Sequence, residues 1–328
     1  MFSKFSLVKL AWRAGALALG AALTATAVAQ DYPAKPVKVV LGYATGGGAD
    51  ALARAVSEGL SRVLGQQFLV DNKPGAGGLM AGDIVAKAAP DGYTLLLTDT
   101  QYVISPALFS KVPFDASKDL TGVSLMTHVP LFIFTKATSN INSLREFIDL
   151  AKANPGKYNY GSAGVGSLHH IAMESFKSSL GLDITHIPYK GSGQSVIGFL
   201  GGETTVLIAS LPSIQAYIKA GTVKPLAVTS LHRSQYLPDA PPVADFAPGY
   251  DFATELGILA PAGTPRAVVN KLSAAIAQVL KQPEIVDRVN NGMGQTIVAS
   301  TPDAYSANIT ANLKRYATAV KISGAKVD

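Results

Sequence analysis

The 328-residue chain contains no cysteine. It can therefore form no disulfide and carry no lipid at a leader junction, so burial of apolar surface must stabilise its fold. It also has no run of five or more Lys or Arg residues, and its aromatic residues are not interleaved with basic clusters. These absences exclude a lipoprotein and give no support to nucleic-acid binding. With 48% hydrophobic residues, the chain can bury one large core or two medium ones.

The N-terminus has the three parts of a secretory signal peptide. Lys4, Lys9 and Arg13 form a basic start, residues 14–28 are apolar or small, and residues 27–29 read Ala-Val-Ala. The apolar run is shorter than the roughly 20 residues that cross a bilayer. We therefore predict a signal peptide at 1–29, cleavage after Ala29 and a mature protein in the periplasm. A retained anchor helix is the alternative.

Removal of this leader changes the charge of the chain. The whole sequence has 28 basic and 22 acidic side chains, and three basic ones lie in the leader, which leaves 25 against 22, a formal charge of +3. This small positive excess suits an anionic ligand. After residue 29 no apolar run is long enough to cross a membrane, which predicts a soluble mature protein.

Short β-branched runs alternate with helical stretches after the leader. In the first series we predict strands at 37–42, 68–70 and 93–98, with helices starting at 48 and at 80 between them. This β-α-β-α-β order predicts a parallel sheet with right-handed crossovers.

A second series follows the same pattern. Its predicted strands are at 129–135, 158–160, 184–187, 205–208 and 226–228, and its helices at 143–153, 168–180 and 194–200. After a proline-rich loop, a strand at 256–259 precedes helices at 265–281, 283–291 and 301–323. Two series with a returning C-terminal segment predict two α/β lobes, one made of 30–128 with 250–328 and the other of 129–249. The ligand would lie in the cleft between them.

A glycine-rich loop joins the first predicted strand to the first helix. It reads Gly42-Tyr43-Ala44-Thr45-Gly46-Gly47-Gly48-Ala49-Asp50. Glycines at a helix start leave the backbone N–H groups uncovered, and these groups can bind an anion. The loop matches neither the dinucleotide fingerprint nor the P-loop, which needs Lys-Ser/Thr after the glycines. A tight connection whose glycines only permit close packing is the alternative.

A second such loop, at 160–170, starts the helix at 168–180. Ser162 and Ser167 add hydroxyl groups, and both loops can face one cleft because they belong to different predicted lobes. His169 and His170 are adjacent, so on a helix they point about 100° apart and cannot share one metal. His170 and Glu174 are four residues apart but have no third ligand nearby, which favours packing or capping over metal binding. The segments 186–194 and 98–101 also follow strands and could line the cleft.

Several segments together resemble a Bug-type solute receptor of the tripartite tricarboxylate transporter family. They are 46–50 (GGGAD), 71–78 (DNKPGAGG), 86–95 (AKAAPDGYTL), 154–157 (NPGK), 188–191 (PYKG) and 259–265 (LAPAGTP). The resemblance covers essentially the whole mature chain. Two stretches depart from it: 43–45, where Pro-Phe-x-Pro-Gly is common, and 209–210, where Asp or Asn is common.

This resemblance implies a type 2 periplasmic binding protein fold of two lobes that close on a ligand. It implies a monomeric receptor without catalysis or cofactor. The receptor would capture a small carboxylate (a di- or tricarboxylate, or an aromatic carboxylate such as terephthalate) and deliver it to the membrane components of a tripartite tricarboxylate transporter. The expected ligand-binding residues are Tyr43, Thr45, Gly46, Gly47, Asp50, Thr100, Ser162, Ala163, Gly164, Ser167, His170, Tyr189 and Ser210.

A periplasmic serine hydrolase acting on a small anionic substrate is the alternative function. It would use Ser162 or Ser167 with a histidine base within hydrogen-bond reach. No Gly-x-Ser-x-Gly elbow surrounds Ser162, because residue 160 is tyrosine. Metal-ion capture is a third possibility, for which a full ligand set is lacking.

Overall fold

Ten strands form the sheet of the computed structural model, which describes residues 32–327. The predicted signal peptide and its cleavage site lie outside these residues. The strands are β1 (Val37–Leu41), β2 (Phe68–Asn72), β3 (Thr94–Thr98), β4 (Leu120–Lys136), β5 (Tyr158–Ser162), β6 (Ile184–Pro188), β7 (Val206–Ser210), β8 (Val223–Val228), β9 (Ala253–Pro261) and β10 (Thr296–Ile297).

Helices connect these strands and cover the sheet. They are α1 (Gly48–Leu64), α2 (Leu79–Ala86), α3 (Gln101–Leu108), α4 (Leu144–Ala153), α5 (Leu168–Leu180), α6 (Ser192–Gly201), α7 (Leu211–Lys219), α8 (Arg266–Val279), α9 (Pro283–Asp287) and α10 (Pro302–Ser323). A single π-helical segment, Arg288–Gly292, follows α9. Within 32–327, no helix is both long and apolar enough to cross a bilayer.

The strand order is β2-β1-β3-β9-β4-β7-β5-β6, and β8 and β10 also pair with β4. β1 is parallel to β2 and β3, which confirms the parallel sheet predicted for the first series. β5 is likewise parallel to β6 and β7. The prediction missed that β9 inserts antiparallel between β3 and β4, so the sheet is mixed.

β4 joins the two groups of parallel strands. Its first part pairs antiparallel with β9, and from Leu131 onward it pairs antiparallel with β7. The predicted strand at 129–135 covers only its second part. The first part, residues 120–128, mixes polar and apolar residues without a regular period and pairs with β9, which lies more than a hundred residues away. We propose that the lobes divide at 128/129 and 249/250, as the sequence predicts, which places the first part of β4 in one lobe and its second part in the other.

A close helix–helix contact fixes α1 at the start of the fold. Leu52, Val56 and Leu60 recur every fourth residue on one face of α1 and are buried. On the same side, a Cβ at Gly59 would lie 2.4 Å from Val279 Cγ1 of α8, so only glycine permits this approach. Because that contact holds α1, the glycine-rich loop that precedes the helix has a defined position.

Capping sets the ends of two predicted helices. Ser143 Oγ accepts the Glu146 N–H at 3.1 Å, and the Glu146 carboxylate accepts the Asn142 N–H at 2.7 Å, so the capping box predicted for α4 is present. Thr301 Oγ1 caps α10 by accepting the Ala304 N–H. α10 then packs against α3, α5 and β4. The C-terminal helix therefore stabilises parts of the fold that belong to both series.

Candidate functional site

A cavity of about 540 Å³ lies between the start of α1 and the start of α7. β4 and β9 form its floor through four residues, Val129, Leu131, Thr254 and Leu256. The α1 side contributes Gly46, Gly47, Gly48, Ala49 and Ala51, and the α7 side contributes Ser210, Pro212 and Ser213. The remaining lining residues are Asp99, His169, Gly292, Met293 and Gln295. Its volume lies within the range of about 300–1,000 Å³ that is typical of small-molecule sites.

The start of α1 offers unpaired donors to this cavity. Gly47 occupies the N-cap position and has no side chain with which to cap the helix. The N–H groups of Gly47, Gly48 and Ala49 donate no hydrogen bond to any residue that the structure describes. These donors sit at the positive end of a 17-residue helix. An anion at this point would therefore be stabilised by hydrogen bonds and by the helix dipole.

Asp50 shapes this loop from behind. Its buried carboxylate accepts hydrogen bonds from Arg54 at 2.9 and 3.0 Å, from Asn72 at 3.0 Å and from the Gly46 N–H at 3.0 Å. Asn72 also donates to the Tyr43 carbonyl. The hydrogen bond from Arg54, chiefly, holds the pKa of Asp50 at about 2. Asp50 was predicted to bind ligand, but it lies outside the cavity lining and orders the loop.

Tyr43 and Asp99 form a hydrogen-bonded pair beneath the loop. The Tyr43 hydroxyl donates to Asp99 Oδ1 at 2.5 Å, and the Gln101 N–H donates to the same oxygen at 2.8 Å. Burial raises the pKa values of both side chains. Asp99 lines the cavity whereas Tyr43 does not. Thr100, the predicted residue next to Asp99, is buried and joins α3 to β9 through bonds to the Ala253 carbonyl and the Glu255 N–H.

The start of α7 forms the opposite wall. Ser210 is the N-cap residue of α7, and its hydroxyl has no hydrogen-bond partner within 32–327. Ser213 Oγ donates to the Ser210 carbonyl at 2.7 Å. Of the predicted ligand-binding residues, Gly46, Gly47 and Ser210 thus lie together in the cavity. Thr45 belongs to the loop before α1, but its side chain is exposed and does not line the cavity.

Apart from His169, the second glycine-rich loop lies outside the cavity lining. Ser167 Oγ accepts the His170 N–H at 3.3 Å and donates to the Gly164 carbonyl at 2.7 Å, so it caps α5. His170 Nδ1 accepts the Gly166 N–H at 3.3 Å, and the Ala163 carbonyl accepts the Gly191 N–H. These hydrogen bonds hold the loop against the start of α5 and against the segment that precedes α6.

Ser167 instead lines a separate hollow of about 240 Å³ beside α3. Tyr189, another predicted residue, donates its hydroxyl to Glu203 at 2.8 Å and packs closely on Gly198. In this conformation Ser162, Ala163, Gly164, Ser167, His170 and Tyr189 do not meet the α1 loop in one cavity. Their assignment as ligand-binding residues stays a prediction.

His169, rather than His170, reaches the cavity. Its Nε2 is buried and has no hydrogen-bond partner among the described residues. Desolvation lowers the pKa of His169 to about 4, so the ring is neutral at pH 7. His170, the next residue along α5, points about 100° away from His169, as adjacent helical residues do.

A serine–histidine pair is present in the second loop. Ser162 Oγ lies 2.6 Å from His186 Nε2. Ser162 is completely buried and lines neither of the hollows described above, so no substrate can reach its hydroxyl. The His186 ring is stacked between those of His170 and Tyr160, with centroids 4.2 and 4.8 Å away. Ser162 and His186 therefore pack in the interior, and Ser162 cannot act as the nucleophile of the alternative hydrolase.

The predicted ligand-binding residues included none of the four floor residues and none of the lining residues after α9. Asp99 lay in the strand-end segment 98–101, which was singled out by position alone. Ser213 follows Ser210 by one helical turn, a spacing that could have suggested it. Gly292, Met293 and Gln295 come from the segment after α9 and carry no local signal. Within 32–327, no three or more His, Asp or Glu side chains group where they could hold a metal ion.

The family model described as "Tripartite tricarboxylate transporter family receptor" matches residues 52–324. The chain belongs to this family. It is 33% identical to Protein BugT of Bordetella pertussis over 310 residues, 94% of this chain and 95% of that protein. A solved structure of periplasmic binding protein BugD is 30% identical and has a TM-score of 0.73, covering 90% of this chain and 99% of the other. The R. palustris protein Rpa4515 with adipate is 30% identical, with a TM-score of 0.76 over 90% and 100% of the two chains.

These relationships confirm the two-lobed periplasmic binding protein fold and the family predicted from the sequence motifs. The family consists of solute-binding receptors, so the chain is a receptor and not an enzyme. The serine hydrolase alternative is therefore wrong. Family members are periplasmic binding proteins, which agrees with the periplasmic location predicted from the N-terminus.

Proposed function

We propose that this receptor captures a small carboxylate in the periplasm and delivers it, as a monomer, to the membrane components of a tripartite tricarboxylate transporter. The observation that carries this proposal is the set of unpaired N–H groups at Gly47, Gly48 and Ala49, which face a cavity at the positive end of α1. A carboxylate is the simplest group that satisfies several such donors at once. The adipate bound to the relative Rpa4515 supports the same ligand class.

The cavity has no cationic side chain for an anion. Among the described lining residues there is neither Lys nor Arg. The carboxylate would therefore be held by N–H groups of α1 and by the Ser210 hydroxyl, at about 1.5–3 kcal/mol for each hydrogen bond to a charged group. Two or three such bonds sum to about 3–9 kcal/mol, so micromolar affinity, about 8 kcal/mol, needs the upper end of this range or a further contribution from apolar contacts. The apolar floor of Val129, Leu131 and Leu256 would contact the hydrocarbon part of the ligand, including an aromatic ring such as that of terephthalate.

A ligand in this position would contact both proposed lobes. Gly46 and Gly47 belong to the lobe of 30–128 with 250–328, and Ser210 and Ser213 to the lobe of 129–249. Since a ligand that bonds to both walls stabilises the arrangement in which they are close, binding would favour lobe closure. Closure would also bring the second glycine-rich loop nearer to the ligand, where its predicted residues would act.

An aspartate at Gly47 tests the site. A Cβ at Gly47 meets nothing within 4 Å, so the fold should accept Gly47→Asp. The new carboxylate would occupy the place of the ligand's charge and abolish binding. Gly193→Asp is the matched control, because Gly193 also lies at a helix start, has open space around it and does not line the cavity.

Calorimetry of the mature protein with a panel of di-, tri- and aromatic carboxylates measures both variants. We expect binding without turnover in the wild type and in Gly193→Asp, and none in Gly47→Asp. Equal affinities in wild type and a folded Gly47→Asp would reject the α1 site.

A further inference from the structure

Asp99 is a carboxylate in a cavity that we assign to an anion. Among the described lining residues it is the only acid, and no Lys or Arg accompanies it. It takes part in no ion pair within the part of the chain that the structure describes. A ligand with only negative charges would bring a second carboxylate beside it in a partly dry site, where like charges repel.

The two oxygens of Asp99 have different surroundings. Oδ1 accepts both the Tyr43 hydroxyl and the Gln101 N–H, while Oδ2 has no partner in the described chain. Oδ1 is thus held in place by the protein, and Oδ2 is left as a positioned acceptor. The two hydrogen bonds to Oδ1 also favour the ionised carboxylate, which offsets part of its desolvation. A group that donates hydrogen bonds and carries positive charge is the natural partner of such an oxygen.

We propose that the ligand is a zwitterion, a small carboxylate that also carries an ammonium group, with the carboxylate at the start of α1 and the ammonium group on Asp99 Oδ2. This inference rests on the proposed carboxylate site and adds the chemical class of the second recognition point. The neutral ring of His169 would contribute no opposing positive charge. A ligand with one carboxylate and one ammonium group has no net charge, so the net charge of the occupied cavity would equal that of Asp99 alone.

Matched ligand pairs test the proposal by calorimetry. The pairs are glutamate with glutarate, 4-aminobutyrate with succinate, and 4-(aminomethyl)benzoate with terephthalate, and in each the first member carries an ammonium group. We expect at least one amino compound to bind wild-type protein ten times more tightly than its counterpart. Asp99→Asn keeps the shape of the side chain and should lower that affinity tenfold or more, with the counterpart unchanged or tighter. Asp149→Asn, at an exposed residue of α4, controls for the loss of one negative charge.

If Asp99→Asn does not fold, the matched ligand pairs on wild-type protein still decide the proposal, and Tyr43→Phe serves as a control. Tyr43→Phe removes one hydrogen bond to Oδ1 but keeps the charge of Asp99, so the preference for the amino compound should persist in it. Two results would overturn the zwitterion proposal while the carboxylate site stands. One is that wild-type protein binds the compound without an ammonium group more tightly in every pair, and the other is an unchanged preference in folded Asp99→Asn. Absence of binding by every compound, or binding that Gly47→Asp does not change, overturns the carboxylate site as well.

Discussion

Asp50→Ala should destabilise the protein because it removes the acceptor on which the α1 loop is built. The carboxylate receives hydrogen bonds from Gly46, Asn72 and Arg54 and is itself buried. Hydrogen bonds to a charged acceptor contribute about 1.5–3 kcal/mol each, net of the hydrogen bonds to water that they replace. Since the Arg54 side chain is 48% exposed, water screens its ion pair with Asp50, and this ion pair adds little to the stability. The donors of Gly46 and Asn72 can turn to water when the acceptor is lost, so the expected loss is about 2–3 kcal/mol in total.

Urea unfolding of the ligand-free mature protein measures this loss. Asp149→Ala, an exposed position on the surface of α4, is the control and should change the free energy of unfolding by less than about 0.5 kcal/mol. The folded-state pKa of Asp50 lies below the unfolded value, so its contribution is present above about pH 4 and is lost as pH falls towards 2. The difference between wild type and Asp50→Ala should therefore shrink over that range. Equal stability of the two proteins at pH 7 would refute the loop-ordering role.

Two further predictions concern the buried histidines and the α7 wall. His169 and His186 have folded-state pKa values of about 4, mainly through desolvation, against about 6.5 when unfolded. The unfolded chain then binds more protons between these values, so stability should be complete above pH 6.5 and fall as pH drops to 4, a slope that His169→Asn should reduce in thermal melts. Ser210→Ala should weaken carboxylate binding about tenfold, because it removes one hydrogen bond of about 1.5 kcal/mol, and it should leave the melting temperature unchanged. If calorimetry gives the variant the same affinity as the wild type, Ser210 is not part of the site.

Local sequence signals predicted the elements whose stability is local. The capping box at Ser143 and Glu146 marks the start of α4, and the glycine at 324 follows the end of α10. The first part of β4 has no such signal, because it becomes a strand only through pairing with β9, which arrives from the C-terminal segment. α3 was missed for a related reason. Its sequence contains Pro106, which argues against a helix, and packing against α10 stabilises it nonetheless.

The two glycine-rich loops show which part of the site a sequence can predict. Both precede helices, and both were expected to present free N–H groups to one cleft. At α5 the N-cap is Ser167, whose side chain takes the His170 N–H and donates to the Gly164 carbonyl. At α1 the N-cap is Gly47, which has no side chain to take a donor. A glycine at the N-cap of a long helix is thus a stronger indication of an anion site than a glycine-rich loop that ends in serine.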